Sequence, residues 1–198
     1  ESLSKLNPRL IVGSISGFGQ VGPYASRPGF DQIIQGMSGL MSLTGSPDGE
    51  PMRAGIAVSD TSAGMFLGQG ILLALLERQQ TGRGQWVHTS LLEAMLSKLD
   101  FQGSRYTMDG DSPGREGNHH PTAAPMGVFR ASDGFVNLAA TSGRMWRAFC
   151  EALSLDALLD DPRFKTNEQR VKHREALIAL IESKTGQKTQ AALITELN

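Results

Sequence analysis

The sequence predicts an α/β fold, with an α+β arrangement in its second half. In the first half, a β-branched run at residues 10–15 is followed by a glycine-rich loop, a long apolar helical segment and a second strand at residues 86–90. In the second half, two short strands flank Asp133-Gly134, and amphipathic helices follow them. A length of 198 residues allows one large domain or two small ones.

The first half is predicted to centre on one long helix. This helix covers about residues 62 to 79, has leucines at helical spacing and ends near Gly82, so we expect it to be central and buried. A shorter helix with two internal glycines is predicted around Ile33 to Leu40, and another covers about residues 91 to 101. The loop at residues 16–23 has three glycines and a proline, which fits either a tight surface connection or a phosphate cradle.

Polar residues, glycines and prolines dominate residues 102–125, which are predicted to form a linker or an active-site loop. The chain is therefore divided into residues 1–101, part of a large domain, and residues 126–198, a small α+β domain. The small domain is predicted to contain a hairpin at about residues 127–140. Three helices are predicted to follow it, at about residues 142–153, 167–185 and 189 onwards.

Composition excludes several classes of function. The net charge is −1 and no basic stripe is present, so no nucleic-acid partner is expected. The single Cys150 excludes an internal disulfide framework, and His119-His120 has no third ligand at a recognised spacing, so no metal is expected. We expect no membrane span and no signal peptide, and hence a reducing, cytoplasmic location. Both ends of the chain indicate a piece of a longer protein.

Asp60 is the main candidate for chemistry. It follows a short apolar run and directly precedes the long helical segment. At such a junction an Asp can be a helix N-cap, whose oxygen accepts the first amide protons of the helix. It can also be a nucleophile or base presented at the end of a rigid element. The residue types alone leave both roles open.

The chain carries five motifs in the order and spacing of one known family: residues 7–11, 16–23, 58–61, 81–85 and 131–136. The chain resembles the family III coenzyme A-transferases, of the formyl-CoA transferase and carnitine CoA-transferase type, and the α-methylacyl-CoA racemases share their fold. The resemblance covers essentially the whole chain, and the family's full length is about twice as great, so the chain is similar to the middle of that fold.

The resemblance implies a function and a set of site residues. Asp60 falls on the family's catalytic aspartate, which takes CoA from an acyl-CoA through a mixed anhydride and an aspartyl-CoA thioester and passes it to a carboxylic acid. The positive end of the helix would favour its ionised form and stabilise the developing oxyanion. The family forms interlocked homodimers. Residues implied to line the CoA side are Pro28, Gly29, Phe30 and Asp31.

Two positions depart from relatives of this fold. The racemases carry a His where this chain has Phe30, and without a second base a two-base racemisation is hard to run. The tetraglycine run of formyl-CoA transferase is absent near residues 114–118, so the resemblance implies neither a lid there nor an oxalate or formate substrate. Two alternatives stay open: a racemase-like isomerase, and an inactive or partner-binding remnant. We expect the 198-residue piece alone to have little transferase activity.

Overall fold

The computed structural model describes residues 2–197. The chain divides into two compact units, residues 1–115 and residues 116–198, and each is described by itself. The boundary falls inside the segment predicted as a linker or active-site loop.

The first unit is an α/β arrangement built on two parallel strands. Its elements are α1 (Ser2–Leu6), β1 (Val12–Ser16), α2 (Asp31–Met37), α3 (Leu40–Leu43), α4 (Val58–Thr81), β2 (Trp86–Ser90), α5 (Leu91–Ser97) and α6 (Asp100–Asp109). Strands β1 and β2 pair in parallel from Val12 opposite Trp86 to Ser16 opposite Ser90. A parallel pair needs a crossover connection, and α4 lies within it. The α/β class predicted for this half is confirmed.

Glycines bring α4 close to the sheet. A Cβ on Gly13 of β1 would lie 3.1 Å from the Ile71 side chain, and one on Gly70 would lie 2.6 Å from Val87 of β2. The helix and both strands therefore pack at a distance that larger side chains would prevent. The apolar core of this unit consists of Ile34, Ala63, Leu91, Ala94 and Met95.

The prediction that α4 is central in its unit is confirmed, since it packs against β1, β2, α2 and α5, but the prediction that it is buried is wrong. Its Met65, Leu72, Leu73 and Leu76 are 60–66% exposed, because a two-stranded sheet with α2 and α5 covers only part of the helix surface. The sequence analysis also expected no segment that could span a bilayer. By length and composition that expectation is wrong, because α4 has 24 residues and contains an 18-residue stretch of mean hydropathy 1.2. One such helix is weak evidence, because core helices of soluble proteins pass the same test.

Residues 102–109 are helical, so the prediction of a non-helical segment starting at Gln102 is wrong at its beginning. They continue α6, which ends at Gly110 in the left-handed conformation. Glycine adopts this conformation easily, and here it stops the helix. The sequence signal missed α6 because its buried face is weak and several of its residues are polar.

The second unit is a hairpin covered by helices, as the α+β prediction requires. Its elements are β3 (Met126–Ala131), β4 (Gly134–Ala139), α7 (Gly143–Ala152), α8 (Ala157–Asp160), α9 (Asn167–Lys172), α10 (Arg174–Thr185) and α11 (Gln190–Leu197). The strands are antiparallel, with Ala131 opposite Gly134 across the turn. The predicted helix over about residues 167–185 is two helices, which meet at His173. The apolar core of the second unit includes Phe129, Trp146 and Phe164.

Candidate functional site

Asp60 is the third residue of α4 and is exposed. Of the two roles left open for Asp60, that of the helix N-cap is excluded. The N-cap position is held by Ala57, which offers no side-chain oxygen, and no side-chain cap hydrogen bond is made there. Within residues 2–197, no hydrogen bond or ion pair engages the Asp60 carboxylate. The carboxylate is thus displayed at the start of a long helix and is free to meet another molecule.

A carboxylate from another helix takes over the capping role. Asp31 Oδ1 accepts the Ser59 backbone N–H at 3.0 Å and the Ser59 hydroxyl at 2.8 Å. Asp31 is the first residue of α2, 28 positions before Ser59. The backbone N–H groups in the first turn of a helix lack partners within the helix, so an acceptor from outside is needed where the N-cap side chain has none.

The second oxygen of Asp31 is engaged as well. Its Oδ2 accepts the Gln35 side-chain amide at 2.7 Å and, at 3.4 Å, an Arg53 N–H. Burial by itself would raise the pKa of Asp31, but the hydrogen bonds from Ser59, Gln35 and Arg53 outweigh burial and hold that pKa below its ordinary value of 3.8. Asp31 is therefore a charged, internally bonded carboxylate in the folded chain.

The stretch predicted to line CoA lies at the start of α2. Pro28 and Phe30 are exposed, and Phe30 is the N-cap residue of α2 with extended backbone angles. Gly29 lies against Gly17 of the glycine-rich loop, so that loop and the 28–31 stretch meet. Contact of these residues with CoA stays a prediction.

The first turn of α4 suits nucleophilic chemistry. The positive end of a helix dipole favours a carboxylate in this position. Among residues 2–197, no group of three or more His, Cys, Asp or Glu side chains could hold a metal ion.

The second unit holds none of the predicted site residues. Burial lowers the pKa of His119 in this unit, and the neighbouring Arg174 lowers it further. Two cavities of about 400 and 500 Å³ lie in the same unit, and neither is lined by Asp60 or by residues 28–31.

The family model described as CoA-transferase family III matches residues 1–198. The chain belongs to CoA-transferase family III. The resemblance inferred from the five motifs is thereby confirmed.

Relatives of this family III chain are similar over nearly all of it. A succinate–glutarate CoA-transferase of Agrobacterium fabrum is 42% identical over 195 residues, which are 98% of this chain and 49% of that protein. An acetyl-CoA:oxalate CoA-transferase of Acetobacter aceti is 40% identical over 183 residues, 92% of this chain and 47% of that protein. The crystal structure of a CaiB/BaiF family protein from Brucella suis matches with a TM-score of 0.84 at 42% identity, over 99% of this chain and 52% of that one. The chain spans about half the length of these relatives.

Three residues that donate hydrogen bonds to Asp31 escaped the sequence analysis: Ser59, Gln35 and Arg53. Ser59 lies in the same motif as Asp60, and Gln35 lies four positions after Asp31, a spacing that places two side chains on one helix face. Either spacing could have suggested a polar network. No local signal connects Arg53 to Asp31, because their contact joins two segments 22 positions apart.

Proposed function

We propose that the protein to which this chain belongs transfers CoA from an acyl-CoA donor to a carboxylic acid acceptor, with Asp60 as the nucleophile. The observation that carries the proposal is the Asp60 carboxylate, which is exposed and unbonded among residues 2–197 in the first turn of α4. Membership of CoA-transferase family III supplies the reaction class. Because the chain spans about half of its relatives, the proposal concerns the longer protein.

The first half of the reaction loads CoA onto the enzyme. An Asp60 oxygen attacks the carbonyl carbon of the acyl-CoA thioester, and the carbon–sulfur bond breaks to give a mixed anhydride and CoA thiolate. The thiolate then attacks the Asp60 carbonyl carbon of the anhydride. The donor's carboxylate leaves, and Asp60 remains as the aspartyl-CoA thioester.

The second half repeats these steps with the acceptor acid. Its carboxylate attacks the Asp60 thioester, which gives a new mixed anhydride and CoA thiolate. The thiolate attacks the acceptor's carbonyl carbon, which forms the new acyl-CoA and releases the Asp60 carboxylate. Every step is an acyl transfer through an oxyanion, and the positive end of α4 stabilises such charge beside Asp60.

Small dicarboxylic acids are the first substrates to test. The names of the Agrobacterium fabrum and Acetobacter aceti relatives specify succinate and glutarate in one case and oxalate in the other. We include oxalate although the tetraglycine run is absent, because a relative of 40% identity carries oxalate in its name. We further propose that the longer protein is a cytoplasmic homodimer that needs no metal.

Isotope transfer to Asp60 tests the proposal. The longer protein is loaded with succinyl-CoA in a single turnover and then given glutarate labelled with heavy oxygen in both carboxylates. The steps above leave one heavy oxygen atom on Asp60, which mass spectrometry of the peptide containing it detects. Asp60→Ala should form no glutaryl-CoA, whereas Asp48→Ala, on an exposed turn, should remain active. Transfer by Asp60→Ala, or an unlabelled Asp60 in an active enzyme, would overturn the proposal.

A racemase-like reaction leaves a different trace. A chiral 2-methylacyl-CoA incubated with the protein in D2O and without an acceptor acid would gain deuterium at its α-carbon. Phe30 favours the transferase, because its side chain offers no second base. We expect no deuterium uptake, and uptake would show that the racemase alternative is correct.

A further inference from the structure

We propose that Asp31 is a positioning residue for Asp60, an inference that rests on the proposed nucleophilic role of Asp60. Asp31 does not act on substrate in this scheme. It fixes the first turn of α4 from outside the helix, and the reactive carboxylate is displayed from that turn.

The start of α4 depends on Asp31 for an acceptor. Ala57 at the N-cap position has no oxygen side chain. The Val58 amide is bonded to the Ile56 carbonyl at 2.9 Å, and the next amide, that of Ser59, is bonded to Asp31 at 3.0 Å. The Ser59 hydroxyl donates to the same Asp31 oxygen, so the residue before Asp60 is held by two bonds. Ser59 is fully buried, which makes loss of these bonds costly.

Asp31 is itself held by a buried amide. The Gln35 side chain is fully buried, and its orientation is fixed because its oxygen accepts the Ala54 N–H at 2.8 Å. Its nitrogen donates to Asp31 at 2.7 Å and to the Ile56 carbonyl at 3.2 Å. One network therefore joins α2 to the segment before α4 and to its first turn. Such a fully bonded network restricts the backbone that carries Asp60.

This arrangement assigns different tasks to two carboxylates. Asp31 accepts four hydrogen bonds inside the chain, from the amide and hydroxyl of Ser59, from Gln35 and from Arg53. Asp60 is exposed and accepts none from residues 2–197. A nucleophile on a fixed backbone meets the thioester carbon in a reactive orientation, and a displacement of about 1 Å can lower a rate on the order of 100-fold.

Steady-state kinetics of the longer protein test the inference. Asp31→Ala removes the acceptor of Ser59, so we expect kcat to fall about 10- to 100-fold while KM for the acyl-CoA changes less than about 3-fold. Asp31→Asn keeps one oxygen for Ser59 and should recover most of kcat. Asp48→Ala is the matched carboxylate control. Unchanged kcat in Asp31→Ala, or a loss that lies wholly in KM, would overturn the positioning role.

Hydrogen exchange supplies a readout that does not depend on activity. In the 198-residue chain, the Ser59 amide should exchange at least about 10-fold faster in Asp31→Ala than in the wild type, with less change in Asp31→Asn. Equal protection in the Ala variant would overturn the inference, and circular dichroism checks that the variant is folded. If Asp60→Ala of the longer protein retains transfer, the proposed function fails and the positioning role with it. If Asp60→Ala is inactive while Asp31→Ala has a normal kcat, only the positioning role fails.

Discussion

The backbones of Gly17 and Gly29 cross in direct contact. A Cβ added to Gly17 would lie 2.5 Å from the Gly29 Cα, a separation that real Cβ atoms essentially never show. The Gly17 carbonyl also accepts the Leu92 N–H at 3.2 Å, which ties the loop to α5. The glycine-rich loop and the 28–31 stretch are therefore joined by backbone packing rather than by side chains.

Replacement of Gly17 by Ala should disturb this crossing. We expect Gly17→Ala to lower the free energy of unfolding of the 198-residue chain by about 2 kcal/mol, because the clash involves backbone that cannot rotate away. Gly68→Ala is the control, since its Cβ would enter open space on α4, and helix propensity should raise stability by about 0.5–1 kcal/mol. Urea unfolding followed by circular dichroism measures both. Equal changes in the free energy of unfolding would show that the contact between Gly17 and Gly29 does not limit the size of the side chain at position 17.

Asp31 should contribute stability that depends on pH. Its pKa is held below 3.8 in the folded chain, so unfolding makes protonation easier. The contribution is present above the unfolded value of 3.8 and is lost as the pH falls through the lower folded value. We expect Asp31→Asn to reduce the free energy of unfolding by about 1–2 kcal/mol at neutral pH, and the difference from wild type to shrink below about pH 4.

Urea unfolding of wild type and Asp31→Asn between pH 7 and pH 3 measures that difference. Asp48→Asn is the control, and as an exposed substitution it should stay within about 0.5 kcal/mol of wild type at neutral pH. A difference between wild type and Asp31→Asn that grows as the pH falls would have the wrong sign for this account.

Local patterns predicted the elements of this chain better than the partners of its site residues. Strand residues 86–90 and the hairpin carry periodicity that is visible within a few positions, and both were confirmed. The start of α4 was predicted four positions too late, and the N-cap role left open for Asp60 belongs to another position. The reason is physical: the oxygen that caps α4 belongs to Asp31 in another helix, and no window around Asp60 contains it. The exposure of α4 was missed for a similar reason, because hydropathy does not show how many neighbours a helix has.

The second unit depends on the buried Arg170 of α9. Its Nε donates to the Ala124 carbonyl at 2.7 Å, and its two terminal nitrogens donate to Phe164 at 3.1 Å and to Thr141 at 3.0 Å. The guanidinium also lies 4.9 Å from the ring centroid of Trp146. One side chain therefore joins three separate segments of the unit, a geometry that the planar fork of Arg allows.

Arg170→Lys should destabilise this unit although the charge is kept. Lysine ends in one ammonium nitrogen and has no planar fork, so it cannot reach three carbonyls that lie in different directions. The buried carbonyl oxygens that it does not reach lose their hydrogen-bond partners. We expect the free energy of unfolding to fall by about 3 kcal/mol, measured in urea through Trp146 fluorescence in a Trp86→Phe background, which removes the second tryptophan of the chain. Arg144→Lys, on the exposed face of α7, should stay within about 0.5 kcal/mol of wild type. A near-neutral Arg170→Lys would mean that the three hydrogen bonds contribute little.

Cys150 gives an independent measure of how often the second unit opens. Burial in the core raises the pKa of its thiol to about 12, and the negative charge of Asp156 adds to the effect. The reactive thiolate is therefore scarce, and the sulfur is shielded from reagents in the folded unit. We expect a disulfide reagent such as DTNB to react at neutral pH at least about 100-fold more slowly with the folded chain than with the chain in guanidinium.

The chain has one cysteine, so the absorbance signal of this reaction has a single source, and Cys150→Ser provides the blank. Arg170→Lys should accelerate the reaction, because a less stable unit exposes its core more often. Arg144→Lys should leave the rate unchanged. A folded chain that reacts as fast as the unfolded one would show that Cys150 is accessible in solution. Equal rates in wild type and Arg170→Lys would show that the reagent reaches the thiol by a motion that leaves the Arg170 contacts intact.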